Sequence, residues 1–369
     1  MEDYYVDLLS FLERNSGLFE GRRIAVVGDL LSAQVVQPFA NAAEAVFLFD
    51  NITVYDQVVA SMGEAREVRP RQFYLTHSAK NVTAVFSSAM DFSARYAGYG
   101  FDMLLVVLTK SKPQCQRLLH VLSLCLAGGA QVLIAGHNSA GGKSASSLLT
   151  CTPKSHVTKA DSARKCTLFA ASYERPFAPF EDTAAPFGIG GQDMYLWQVP
   201  GVFSYQRPDP GTLLLLESAS DILLDLSRDI TVLDLGCGSG IIAVYMALLG
   251  FGRVTASDIS AEALSVTSKN ASQSNVWHSI TTIAANMLEG LGSYDLILTN
   301  PPFHEGLAKN TTAVAAMFDS FDSHLNAGGR LILVENNFLQ YEKTLAQQGR
   351  DVQVLDKNSK YTVIMAGKG

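Results

Sequence analysis

From residue 231 onward the chain alternates short β-rich runs with helical stretches, and few folds accept that pattern. TVLDL (231–235), RVTASD (253–258), ITTIA (280–284), YDLILT (294–299) and GRLILVE (329–335) read as strands, with helices between them, for example over 240–249 and 309–326. Strands alternating with helices in this way are the βαβ signature of a parallel sheet covered on both faces. A closing pair near 352–355 and 361–366 adds an antiparallel hairpin at the sheet's end. The expected architecture is α/β, with a seven-stranded, mostly parallel sheet.

The first half repeats the pattern more faintly. RIAVVGD (23–29), AVFLFD (45–50), FDMLLVVLT (101–109) and AQVLIAG (130–136) read as strands of a similar sheet. FDMLLVVLTKSKP echoes YDLILTNPP, and LAGGAQVLI echoes NAGGRLILV, each Gly-Gly pair standing where a helix stops before a strand. Any two α/β sheets share such turns, but the paired echoes favour a tandem duplication. The first copy is degenerate: VVGDLLSAQ has one glycine where the second copy has three, and Lys110-Ser111-Lys112-Pro113 stands in place of Asn-Pro-Pro-Phe. Between the halves lies ERPFAPFEDTAAPFGIGG (174–191), rich in proline, glycine and aromatics. We expect a degenerate domain over 1–180, a linker over 181–198 and a catalytic domain over 199–369.

Composition narrows the class. The 369 residues are 48% hydrophobic and 17% charged, with mean hydropathy +0.15, which describes a core-rich globular protein. No apolar run reaches the roughly 20 residues that span a bilayer. The opening MEDYYVDLLSFLERN is acidic and amphipathic, unlike a signal peptide, and points to a first helix and a cytoplasmic protein. Five cysteines without paired short spacing argue against a disulfide framework and against a metal site. A net charge of −7 opposes non-specific nucleic-acid binding, so a nucleic-acid partner needs a local patch. Lys154, Lys159, Arg164 and Lys165 gather into one such patch, which reads either as solvated surface or as an RNA-facing strip.

The chemistry concentrates in three places. VLDLGCGSGIIAVYMA joins a strand to a helix, with Asp234 ahead of Gly236, Cys237, Gly238 and Gly240. Its G-x-G-x-G spacing differs from the G-x-G-x-x-G of nicotinamide-binding folds. Glycines there allow a tight turn and close approach of the backbone to a ligand, and the helix start offers free N–H groups. In S-adenosylmethionine enzymes the ligand at such a loop is the methionine part, and the acid before the glycines faces its ammonium. Asp258, followed by Ile259, ends the next strand and suits two ribose hydroxyls; Asn286, after the third strand, suits the adenine edge.

The fourth strand ends in Asn300-Pro301-Pro302-Phe303-His304. Neither proline can donate to a sheet ladder, so the strand stops and the backbone is pinned in one extended shape. In open α/β sheets ligands sit beyond the carboxyl ends of the strands, which sets this segment beside a methyl donor. The Asn300 side-chain oxygen and the Pro301 carbonyl can accept both protons of an exocyclic amine and turn its lone pair to the methyl. Phe303 offers a stacking face for an extruded base. His304 reads equally as a base or phosphate contact and as a satisfied loop histidine. The glycine loop, the acid after the second strand and N-P-P-F together predict S-adenosylmethionine-dependent methyl transfer.

NPPFH, with PGVFSYQRPDPG (200–211) before it and LVENNFLQY (333–341) after it, resembles the bacterial 16S ribosomal RNA guanine-N2 methyltransferases, in particular the small-subunit methyltransferase C family. SKPQCQRLLHVLSLC, GHNSAGGKSA and KADSARKCTLF resemble that family's amino-terminal domain, so the likeness spans nearly the whole chain. It implies two tandem Rossmann-like methyltransferase domains, the first degenerate. It also implies methylation of the N2 of a guanine, position 1207 in the family, in the small ribosomal subunit, by a monomer without metal. It lays the GVFS segment, Phe203 and Ser204, over the cofactor. The following RPDPG departs from the Gly-Leu-Asp pattern of the family. NPPF alone is shared with adenine and glutamine methyltransferases, and large-subunit guanine methylation or a non-catalytic, cofactor-retaining RNA-binding protein are the competing readings.

Overall fold

The computed structural model describes residues 3–63, 74–150, 156–173, 180, 182–301, 318 and 320–367. These residues form two compact units, 3–180 and 182–367.

The first unit runs α1 (Asp3–Arg14), β1 (Arg23–Gly28), β2 (Glu44–Phe49), α2 (Ile52–Ser61), β3 (Leu75–Ala79), β4 (Val82–Phe86), α3 (Ala89–Tyr96), β5 (Phe101–Val107), α4 (Lys112–Ser123), β6 (Leu126–His137), α5 (Ser146–Leu149), β7 (Val157–Ala163) and β8 (Cys166–Ser172). Its sheet has the order β3-β4-β2-β1-β5-β6-β8-β7. The five central strands are parallel, while β3 pairs antiparallel with β4, β8 with β6 and β7 with β8. The central strands are buried along nearly their whole length, as their unbroken apolar runs require.

The second unit opens with a hairpin, β9 (Thr183–Ile189) and β10 (Gln192–Gln198). It continues through α6 (Pro210–Asp225), β11 (Val232–Leu235), α7 (Ile241–Leu248), β12 (Val254–Asp258), α8 (Ala261–Gln273), β13 (Ile280–Ala284), β14 (Tyr294–Thr299), β15 (Leu325–Asn336), α9 (Tyr341–Gln347), β16 (Val352–Lys357) and β17 (Tyr361–Gly367). The sheet order is β13-β12-β11-β14-β15-β17-β16, with only β17 and β16 antiparallel to their neighbours. Most of the helix expected over 309–326 lies outside the described residues, and β15 already begins at Leu325.

Without its extra edge strand β3, the first sheet has the order of the second, and the duplication extends to single bonds. β5 and β14 each shift register once against the next strand, between Phe101 and Met103 and between Tyr294 and Leu296. The Arg23 N–H donates to Asp102 at 3.0 Å, and the corresponding Thr231 N–H donates to Asp295 at 2.8 Å. This register corrects the sequence alignment of the two loops. Val106 of β5 takes the place of Thr299 in β14, so Val107 and Leu108 stand where Asn300 and Pro301 stand, and Lys110-Ser111-Lys112-Pro113 falls further along. Part of the stretch expected as linker is the β9–β10 hairpin: a Gly190-Gly191 turn, both residues at positive φ, joins two runs with apolar residues at alternate positions.

Candidate active site

In the second unit β11 lies between β12 and β14, so the segments following Leu235, Asp258 and Thr299 converge at one edge of the sheet. Gly236, Gly238 and Gly240 adopt φ of 75°, 54° and 80°, which explains the spacing of the glycines: each sits where a side chain is strained. They are not equivalent. A Cβ on Gly240 would come within 2.7 Å of Thr267, one on Gly238 would lie 3.3 Å from the Phe203 Cβ, and one on Gly236 would face open space. The turn is pinned from behind. The Gly236 and Cys237 N–H groups donate to the Ser257 carbonyl at 2.9 Å, the Thr267 hydroxyl donates to the Gly238 carbonyl, and the buried Asn270 amide donates to Ser239 and Trp197. Burial pushes the Cys237 thiol well up, so it stays neutral beside Thr267.

Two carboxylates flank this turn. The Asp258 oxygens accept the Gly238 and Ser260 N–H groups, each at 2.9 Å, which fixes the side chain across the loop and leaves lone pairs for further donors. Burial raises its pKa, and these N–H groups work against the rise. Asp234 is 1% exposed. One of its oxygens accepts the Ala243 N–H at 3.0 Å from the first turn of α7, and the other, Oδ1, is buried with no partner. Burial lifts this carboxyl to about 7, the Ala243 N–H opposing and the Asp258 charge adding. A buried carboxylate oxygen without a donor is costly in an apolar protein interior and favourable beside a cation.

Asn300, the first residue past β14, is oriented from a distance. Its Nδ2 donates to Asp209 Oδ2 and to Thr212 Oγ1, both at 2.9 Å. A carboxylate only accepts, so this contact decides which end of the amide is which. Asn300 Oδ1 is thereby turned the other way, buried and without a partner. Asp209 is itself fixed, because it caps α6 by accepting the Thr212 N–H at 3.0 Å, with Pro210 at the first helical position. Sequence reasoning alone misses Asp209 and Thr212. D-P-G-T is legible as a helix start, but its hydrogen bond to a residue 91 positions away is not.

The other expected residues fall as follows. Pro301 is buried next to Asn300, Ile259 is half-buried past β12, and Asn286 is exposed two positions past β13. Phe203 is 52% exposed over Gly238, and Ser204 takes a φ of 70°. Phe303, His304 and Lys154 lie outside the described residues. Lys159, Arg164 and Lys165 are exposed on the β7–β8 hairpin of the first unit, the latter two forming its positive-φ turn. Among the described residues no group of three His, Cys, Asp or Glu side chains could hold a metal, and no helix is long and apolar enough to cross a membrane.

Comparison with known proteins agrees with this division. Residues 193–365 match the Methyltransferase small domain, and residues 10–184 match its N-terminal companion, the Methyltransferase small domain N-terminal. The fold is that of the T. thermophilus 16S rRNA N2 G1207 methyltransferase, solved in complex with AdoMet and guanosine: TM-score 0.73 at 21% identity, covering 98% of this chain and 92% of that one. Ribosomal RNA small subunit methyltransferase C of Psychromonas ingrahamii is 29% identical over 361 residues, 96% of this chain and 94% of that protein. Its counterpart in Pseudoalteromonas atlantica is 35% identical over 270 residues, 71% of this chain and 76% of that protein. That degree of identity over that share of a relative, with both halves matched in order, makes this chain a methyltransferase of the ribosomal RNA small subunit methyltransferase C family.

Proposed function

We propose that the chain transfers a methyl group from S-adenosylmethionine to the exocyclic N2 of a guanine in 16S rRNA, the family's guanine 1207, in the small ribosomal subunit. It acts as a cytoplasmic monomer. The observation that carries the reading is the pair of buried, unpartnered oxygens, Asp234 Oδ1 and Asn300 Oδ1, at neighbouring strand ends. The first suits an ammonium and the second an amine proton.

S-adenosylmethionine, when bound, supplies an electrophilic methyl on a sulfonium. The chain's residues fit it: Asp234 meets the ammonium, the backbone of Gly236, Cys237, Gly238 and Gly240 lines the methionine part, Asp258 with Ile259 takes the ribose, Asn286 the adenine edge, and Phe203 covers the turn. Asn300 Oδ1 and the Pro301 carbonyl accept the two protons of the guanine amine. The lone pair, otherwise delocalised into the base, is then directed at the methyl carbon. As positive charge grows on the nitrogen, these fixed dipoles stabilise it, and Asp209 and Thr212 hold the Asn300 dipole in place. The methyl-transfer step itself therefore requires no general base, and the proton that the methylated nitrogen then sheds passes to water. Phe303 stacks on the base, His304 contacts the base or its phosphate, and the strip of Lys154, Lys159, Arg164 and Lys165 docks the substrate.

Mass mapping of 16S rRNA from cells lacking the gene tests the reading. One N2-methylguanine should disappear and return with the wild-type gene; an unchanged methylation pattern overturns it.

A further inference from the structure

The catalytic unit is acidic, with 11 Lys and Arg against 17 Asp and Glu over residues 201–369, yet three of those cations stand on the edge that carries Asn300. The sheet order runs β11-β14-β15-β17, so the segments after β11, β14 and β15 share one rim with the start of the antiparallel β17. Neighbouring strands lie about 4.8 Å apart. Along this rim follow Gly238 under Phe203, then Asn300, then Phe338 two residues past β15, then Lys360 at the head of β17.

Phe338 is 66% exposed, more than any other large hydrophobic side chain among the described residues. A lone exposed phenylalanine carries no meaning. This one sits on a braced platform. The Asn337 N–H donates to the Lys360 carbonyl at 2.9 Å, the Asn337 amide donates to the Asn358 carbonyl at 2.9 Å, and the Thr362 hydroxyl donates to Asn337 Oδ1 at 2.7 Å. The loop bearing the ring is thus zipped to the loop bearing the ammonium. Lys360 Nζ lies 4.9 Å from the Tyr361 ring centroid, and that ring would be 3.2 Å from a Cβ on Gly211, beside the Asp209 cap that orients Asn300. Arg207, whose charge is felt at Lys360, and Lys357, which pairs with Thr362 of β17, are both exposed and flank the same place. An aromatic face fixed next to exposed cations is the chemistry of a single-stranded nucleic-acid groove, in which bases stack and phosphates are neutralised.

We propose that the Phe338 platform holds the RNA strand next to the extruded guanine, Phe338 stacking on a flanking base while Lys360 and Arg207 neutralise flanking phosphates. This rests on the methyl-transfer reading above and deepens it: the acidic unit carries its own substrate contact on the catalytic rim. The occupant is single-stranded RNA, since a protein substrate has neither the regular charge nor a row of flat bases.

The test uses the full chain, with small ribosomal subunits from cells lacking the gene as substrate. Phe338→Ala should raise KM for subunits roughly 5- to 150-fold, the scale of one unstacked base, and Phe338→Trp should restore it. Arg207→Ala with Lys360→Ala should lower the slope of log affinity against log salt by roughly 1.4, about 0.7 for each phosphate neutralised. In both variants the melting temperature and S-adenosylmethionine affinity should stay at wild-type values. An unchanged KM in Phe338→Ala together with an unchanged salt slope overturns the platform, while wild-type methylation of the same subunits leaves the catalytic reading standing. Should the wild-type chain methylate no RNA, both are overturned.

Discussion

The two units share a strand order, a register shift and a backbone-to-aspartate bond, and they part at the one place where a ligand would enter. Gly28 ends β1 as Gly236 follows β11, yet a Cβ on Gly28 would lie 2.0 Å from the Val107 carbonyl oxygen, and one on Gly236 would meet nothing. In the first unit the Asp29 N–H donates to that same carbonyl at 3.1 Å, stitching the turn after β1 directly to the end of β5. Tyr5 of α1, fully buried, accepts the Leu31 N–H at 2.8 Å, so the space beyond the strands is filled from the chain's own first helix. In the second unit the corresponding N–H groups turn to Ser257 instead, and the helix before β11 presents Asp209 and Thr212 to Asn300. The same topology is thus stitched shut beyond its strand ends in one copy and left open in the other. What separates them is a handful of side chains: Val26 for Asp234, Phe49 for Asp258 and Val107 for Asn300, by sheet register.

The most severe break of this comparison is at Asn300. Asn300→Ala removes one preorganised acceptor and should lower turnover on small subunits by roughly 10² or more, with S-adenosylmethionine affinity nearly unchanged. Asp209→Ala should lower turnover less, and also cost about 1 kcal/mol of stability through removal of a helix cap. Turnover at the wild-type rate in Asn300→Ala would reduce the loop to a rigid turn.

The glycine pair gives a contrast in kind. Gly28→Ala forces a methyl into the Val107 backbone at a φ of 105° and should cost about 3 kcal/mol or more of stability, read by denaturant unfolding. Gly236→Ala, with space around it, should cost about 1–2 kcal/mol from φ alone and show its main effect in weaker cofactor binding. Equal stability losses would contradict the difference in packing.

Asp234 adds a pH signature that Val26 cannot. Its folded pKa, about 7, lies above the unfolded value, so its contribution to stability is complete below about pH 4 and is lost as pH rises through about 7. A cation beside Oδ1 favours the ionised form, so the gain in melting temperature on adding S-adenosylmethionine should be larger near pH 8 than near pH 5. Asp234→Asn should flatten both trends; a gain independent of pH in the wild-type chain would contradict the ammonium contact.

How much of this was legible in the sequence follows from burial. The central strands announced themselves because both faces are covered, and β14 begins and ends where its apolar run does. β3, LTHSA, and β7, VTKADSA, are edge strands with alternating exposure, and nothing in their composition distinguishes them from loops. The glycines and Asp258 were readable because backbone conformation and strand ends leave local traces. The orientation of Asn300 and the filling of the first crevice by Tyr5 were not, since both rest on contacts between distant parts of the chain. The alignment of KSKP with NPPF failed for a related reason: the Pro113 match was local, and only strand pairing fixes the register.

The smallest expected effect concerns the basic residues gathered near the end of the first half. Replacing Lys154, Lys159, Arg164 and Lys165 together by alanine should weaken subunit binding and lower its salt slope by roughly 1 for each phosphate no longer neutralised, with cofactor affinity untouched. An unchanged slope would leave the first unit as scaffold alone.

The central claim, one open cradle and one sealed one, is tested most directly by calorimetric titration of the full chain with S-adenosylmethionine, wild type beside Asp258→Ala. The prediction is a single site per chain in the wild type and a fall in affinity of about tenfold or more in the variant, which forgoes charge-assisted hydrogen bonds worth roughly 1.5–3 kcal/mol each. Two sites in the wild type, or unchanged affinity in Asp258→Ala, would contradict it.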